Sequence, residues 1–151
     1  MKLTIEQADD QRDVEIVIRC GSVIDPALER LIRQIRLYGY AIAGKKDGHT
    51  LLIRPDDIFY FETVDNKTFM YCAKDVYECE MKLYEVEQRL TGSPFVRISK
   101  SCVLHLNKLH GFQTKMNGKL EALLSNGERL EVSRHYVASL KERLMETRGV
   151  K

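Results

Sequence analysis

The chain has 151 residues, enough to bury a core in one domain or in a domain with a small appendage. Charged residues make up 30% of it and the formal net charge is +2, while no apolar run approaches the roughly 20 residues that span a bilayer. The start, MKLTIEQADDQRD, lacks the apolar centre of a signal peptide, so the reading is a cytoplasmic protein without structural disulfides.

In chain order, the alternation at Leu3 and Ile5, and again at Val14, Ile16 and Ile18, predicts two strands joined through the polar stretch from Gln7 to Asp13. A helix follows: Asp25 suits the N-cap, Pro26 the first helical position and Gly39 the stop, with Leu28, Leu31, Ile32 and Ile35 on one face. Arg30, Arg33 and Arg36 lie off that stripe, where Glu29 pairs with Arg33 four residues on. This ββα leader, residues 1–40, is too small to stand alone and must pack on the rest of the chain or on a second copy.

From residue 41 to 147 the pattern is mostly β with flanking helices, an α+β fold class. Strands at Tyr40 to Gly44 and His49 to Arg54 flank a turn at Lys45-Lys46-Asp47-Gly48. Ile58-Phe59-Tyr60-Phe61 is apolar on both faces and reads as a central strand. Asp65-Asn66-Lys67 closes a hairpin onto Thr68 to Ala73, and a strand at Val76 to Cys79 leads into a helix carrying Leu83, Val86 and Leu90. Past Gly92 and Pro94, one strand is expected to place Cys102, Leu104 and Leu106 on one face and Ser101, Val103 and His105 on the other. Asn117-Gly118 and Asn126-Gly127 predict a three-stranded meander, and Ser133 caps a closing helix with Val137, Leu140 and Leu144 buried and 147–151 frayed.

Chemistry is sparse in this pattern. There is no nucleophile elbow, H-E-x-x-H, Walker A or dinucleotide fingerprint, so the reading is a protein that is not an enzyme and takes no cofactor. His105 and His110 are five apart with no cysteine or acidic cluster to complete a metal site. Cys20, Cys72, Cys79 and Cys102 form no C-x-x-C and read as reduced, small core residues.

Charge is more informative. Between Phe95 and Tyr136 seven basic residues, Arg97, Lys100, Lys108, Lys115, Lys119, Arg129 and Arg134, face three glutamates, a local excess of four in a chain of net +2. The remainder sums to −2, an asymmetry that points to a polyanion, with nucleic acid as the first candidate. Three clusters stand at element ends: Asp65-Asn66-Lys67-Thr68, Ser99-Lys100-Ser101 before a strand, and Ser133-Arg134-His135 at a helix start. Each also reads as ordinary turn or cap chemistry, yet strand ends can enter a major groove as a helix does, and a helix N-terminus favours a phosphate.

The series IFYFETVDNKT, a helix with L-x-x-V-E-x-x-L, FVRISKSCVLHLNKL, a Gly-containing turn and LEVSRHYVASLKERL resembles the LytTR family of bacterial DNA-binding domains, over Lys45 to Leu144. The resemblance implies an elongated β domain that inserts loops, rather than a helix-turn-helix, into successive major grooves of bent double-stranded promoter DNA at imperfect direct repeats. By position, the base-contacting loops fall near Asn66 and Lys67, at Lys100 and at Arg134, while Ser101, Ser133 and neighbouring basic residues, His135 among that cluster, hold phosphates. The family often has Asn where His105 stands. About forty residues precede the match, fewer than a phosphoryl-accepting receiver needs, so the expectation is a stand-alone transcription regulator whose leader supports a homodimer. The competing reading is a protein-interaction module that docks a partner through the leader without specific DNA binding.

Overall fold

Alternating apolar residues build two antiparallel sheets that share a core in the computed structural model, which describes residues 1–11, 14–38 and 40–148. The larger sheet contains β1 (Ile42–Lys46), β2 (His49–Ile53), β3 (Ile58–Val64), β4 (Lys67–Cys72), β5 (Val76–Cys79), β6 (Phe95–Ser99) and β7 (Cys102–His105), in the order β2-β1-β5-β4-β3-β7-β6. The smaller is the predicted meander of β8 (Leu109–Thr114), β9 (Leu120–Leu124) and β10 (Arg129–Val132). Three α-helices, α1 (Pro26–Tyr38), α2 (Leu83–Arg89) and α3 (Arg134–Arg148), and three short 3-10 turns accompany the sheets among the described residues.

The strand period assigns side chains to two cores on opposite faces of the larger sheet. Val96, Ile98, Cys102 and Leu104 point to one side, where Leu120, Ala122 and Leu124 of β9, Val132 of β10 and Leu140 of α3 close over them. Phe95 and Val103 point to the other, against Leu83 and Val86 of α2. Leu104 and Val86 are fully shielded from solvent, and burial of such a side chain is worth roughly 1.5–3 kcal/mol. As predicted, the run from Ile58 to Phe61 is central: β3 lies between β4 and β7, and a bulge between Ile58 and Tyr60 resets its alternation. Gly44 of β1 is required by contact, since a Cβ there would come within 2.6 Å of Met70 Cε and 2.8 Å of Tyr77 Cβ.

Two expectations are corrected. Residues 1–11 and 14–25 hold no strand, so the leader is an irregular segment followed by a helix rather than ββα. Leu3, Ile5, Val14, Ile16 and Ile18 stay exposed, because an alternating segment forms a strand only when it pairs with an edge, and these residues pair with no strand among the described residues. The stretch after Phe95 is a hairpin, not one strand after a loop: β6 and β7 pair from Phe95–His105 to Ser99–Cys102, which moves Lys100 from the entry of a strand to the tip of a turn.

The leader helix has its expected cap, with the Leu28 amide donating to Asp25 Oδ1 at 2.8 Å; the Gly39 stop and the frayed residues 149–151 lie outside the described residues. It packs on α3, where Arg33 reaches Glu146 at 3.8 Å as well as Glu29 at 3.7 Å. One turn earlier on α3, Arg143 donates to the Ser93 carbonyl at 2.6 Å. Of the cysteines, all free, Cys79 and Cys102 are buried and Cys72 half-buried, whereas Cys20 is exposed and is not the core residue expected.

Candidate nucleic-acid interface

The three clusters singled out in the sequence converge because three element ends are hydrogen-bonded in series. At the β3–β4 turn Asp65 and Asn66 take φ of 51° and 63°, a two-residue hairpin in which both residues are left-handed. Asp and Asn tolerate this conformation better than other residues with a side chain, and the turn leaves Asn66 and Lys67 exposed. One residue before the end of β3, the Thr63 amide donates to the Ser101 carbonyl at 2.8 Å, which ties this hairpin to the β6–β7 turn. On the other side the Ser133 amide donates to the Ile98 carbonyl at 3.0 Å, which fixes the start of α3 to β6 just before the same turn. Ser101 and Ser133 both line a depression of about 260 Å³ that Glu62, Ser99, Cys102, Leu130 and Glu131 also border.

A fourth element meets this face. The link between β8 and β9 turns through Asn117 at φ 65° and Gly118 at φ 72°. Gly118 serves two needs there, because a Cβ would also stand only 3.2 Å from Arg134 Cδ. Arg134 and His135, the first residues of α3, are exposed beside the link.

Electrostatics separate charges that face solvent from charges already engaged. Of the seven basic residues between Phe95 and Tyr136, Arg97 pairs with Glu87, and Lys108 lies 5.0 Å above the Phe59 ring. Lys115 and Arg129 reach Glu121 at 3.7 and 3.3 Å, and Lys119 reaches Glu131 at 2.8 Å. Among the described residues Lys100 and Arg134 make no ion pair, and neither does Lys67 on the neighbouring turn. A cation exposed at a turn and left without a carboxylate partner is available to an external anion. At the base of the face, burial and then the nearby Glu62 push the Cys102 thiol up to about 12, so it stays protonated at neutral pH. His105 is not part of the interface: it is buried, stacks on Phe95 at 4.5 Å and donates from Nδ1 to the Ile58 carbonyl at 2.9 Å.

The family model for the LytTr DNA-binding domain matches residues 48–145. The chain belongs to the LytTR family of DNA-binding domains. The fold agrees with that of a solved LytTr DNA-binding domain from Bacillus cereus, with a TM-score of 0.66 at 21% identity over 70% of this chain and 96% of that one. Among curated relatives, the sensory transduction protein LytT of Enterococcus faecalis is 29% identical over 104 residues, which is 69% of this chain and 43% of the relative. The LytT of Bacillus anthracis is 27% identical over 62% of this chain and 38% of its own. An HTH-type transcriptional regulator of Staphylococcus aureus is 26% identical over 70% and 71%. This chain therefore spans about two-fifths of the length of the LytT proteins it matches.

Within the LytTR domain the seven residues named from sequence all lie on three adjoining element ends. Glu62, Glu131 and the Lys115–Lys119 link were not named as part of the site. Glu62 and Glu131 are placed by the pairing of Glu62 with Cys102 and the ion pair of Glu131 with Lys119. The Asn117-Gly118 step, recognised as a turn, was the one local signal for the fourth loop.

Proposed function

We propose that this chain is a cytoplasmic, sequence-specific transcription regulator that binds double-stranded promoter DNA. The observation that supports it most is the charge distribution: five of the seven basic residues between Phe95 and Tyr136 are engaged, and Lys100 and Arg134, on two of the joined element ends, are free of ion pairs among the described residues. In this reading the β6–β7 turn inserts Lys100, and the start of α3 inserts Arg134, into major groove, where their donors meet guanine O6 and N7. Asn66 and Lys67 enter from the neighbouring hairpin. Ser101, Ser133 and His135 hold phosphate near the start of α3, where the helix dipole favours an anion. Imperfect direct repeats suit two copies bound side by side, and the exposed apolar leader favours a homodimer.

Mobility shift against sites selected from a random DNA pool, at several salt concentrations, tests the reading. Lys100→Ala and Arg134→Ala are each expected to cost about 1–3 kcal/mol of specific binding. Equal affinity for selected and scrambled DNA would remove the claim of specificity, since a salt slope alone reports phosphate contacts. The exposed side chains of Leu3, Ile5, Val14 and Ile16 also favour a second reading, a module that docks a protein partner through the leader. Under that reading, DNA fails to compete with the partner and scrambled DNA binds as well as selected DNA.

A further inference from the structure

A lysine on a loose turn delivers charge but not a donor at a fixed position, so base reading by Lys100 requires something to hold its backbone. Arg97 stands in that role. It lies on β6 with its neighbours Val96 and Ile98 in the core, and its side chain runs along the opposite face of the strand toward the turn. Nε donates to the Ser99 carbonyl at 2.7 Å, one terminal nitrogen donates to the Lys100 carbonyl, and the other pairs with the Glu87 carboxylate. Two successive carbonyls of the turn are thus held by one planar group. The opposite side is closed by the Ser101 amide donating to Ser99 Oγ at 3.2 Å. Glu87 is carried by α2, which is anchored by buried Leu83 and Val86, so the brace runs from the second core to the turn.

We propose that Arg97, oriented by Glu87, is a positioning residue that fixes the Lys100 turn and so sets the base preference read there, without itself touching DNA. The proposal rests on the reading of Lys100 as a base contact. A guanidinium suits the task because its donors fan out in one plane toward three acceptors, which a single ammonium cannot reach together. The Glu87 carboxylate offsets the charge of Arg97, so the brace adds no phosphate contact. Its loss is therefore read in sequence preference and not in the salt dependence of binding.

The test uses the full chain and selection from a random DNA pool, with the salt slope and thermal melting measured in parallel. Lys100→Ala defines the base positions that Lys100 reads. Arg97→Lys, which keeps the charge, is expected to lower discrimination at those same positions by about tenfold, the scale of one good base contact. Preference at the Arg134 positions and the salt slope stay as in the wild type. Glu87→Gln should give a smaller loss at the same positions, and Arg97→Lys should add nothing there once Lys100 is alanine. Wild-type preference in Arg97→Lys, or a uniform loss at all positions that tracks a lower melting temperature, overturns the brace. If Arg97→Lys does not melt cooperatively, Glu87→Gln decides, and unchanged preference overturns the proposal. If Lys100→Ala itself leaves every preference intact, the base-contact reading fails and the brace falls with it; if only the Arg97 and Glu87 variants are silent, the brace alone falls.

Discussion

His105 is held inside the larger sheet with one ring nitrogen bonded to the Ile58 carbonyl and no protein partner for Nε2 among the described residues. Burial, opposed in part by that bond, reinforced by Lys108 and opposed slightly by Asp56, lowers its pKa from 6.5 to about 4. Because the folded value is depressed, the unfolded chain binds more protons between pH 6.5 and 4, so stability is full above that window and falls as pH drops through it. The shift corresponds to about 3 kcal/mol. The urea midpoint of the wild type is expected to fall over this range, and that of His105→Asn to fall much less; parallel curves would show that another group governs. Local chemistry made several residues legible from sequence: Asn66 suits a left-handed turn position and Asp25 an N-cap. Arg97 was legible only as part of the charge excess. Its acceptors include Glu87, ten residues away on a separate element, and no spacing rule connects a strand residue to a helix carboxylate across a turn.

The β3–β4 turn offers a separation of fold from contact. Asn66 sits at φ 63°, where glycine is at no disadvantage, so Asn66→Gly should leave thermal stability nearly unchanged and, in the proposed reading, weaken binding to selected DNA. Melting and mobility shift on the same preparation check this, and a large fall in melting temperature would mean that the side chain holds the turn. Legibility at the level of elements followed turn chemistry. The two Asn-Gly steps gave the meander, and β3, β4, β5 and α2 fall close to where periodicity places them. The β6–β7 hairpin was missed because its tip, Lys100-Ser101, contains no Gly, Asn, Asp or Pro, and strands apolar on both faces give no change of period where the chain reverses. The strand after the break nevertheless has the predicted alternation, Cys102 and Leu104 to one core and Val103 to the other.

For the molecule as a whole, the proposed homodimer assigns the leader the task of setting how many interfaces meet one stretch of DNA. Its alternating residues predicted strands that a single copy does not form, since pairing is a non-local event that periodicity cannot supply. The sheet order was illegible for the same reason, with β1 beside β5 and β3 beside β7. If the leader joins two copies, Ile16→Lys combined with Ile18→Lys should give a monomer by light scattering. Binding to one repeat would persist, while binding to two repeats would lose the avidity that linkage confers, about 10²-fold or more. A wild type that is monomeric at high concentration, with and without DNA, removes the homodimer. The bonds that gather the candidate face carry a different consequence. Thr63 to Ser101 and Ser133 to Ile98 are contacts of main chain with main chain, and they are indifferent to which side chains stand on the loops. Asn66, Lys67, Lys100 and Arg134 are exposed and absent from both cores. In the proposed reading, exchange of Lys67, Lys100 or Arg134 can therefore change the DNA sequence recognised while the main-chain scaffold that aims them stays intact.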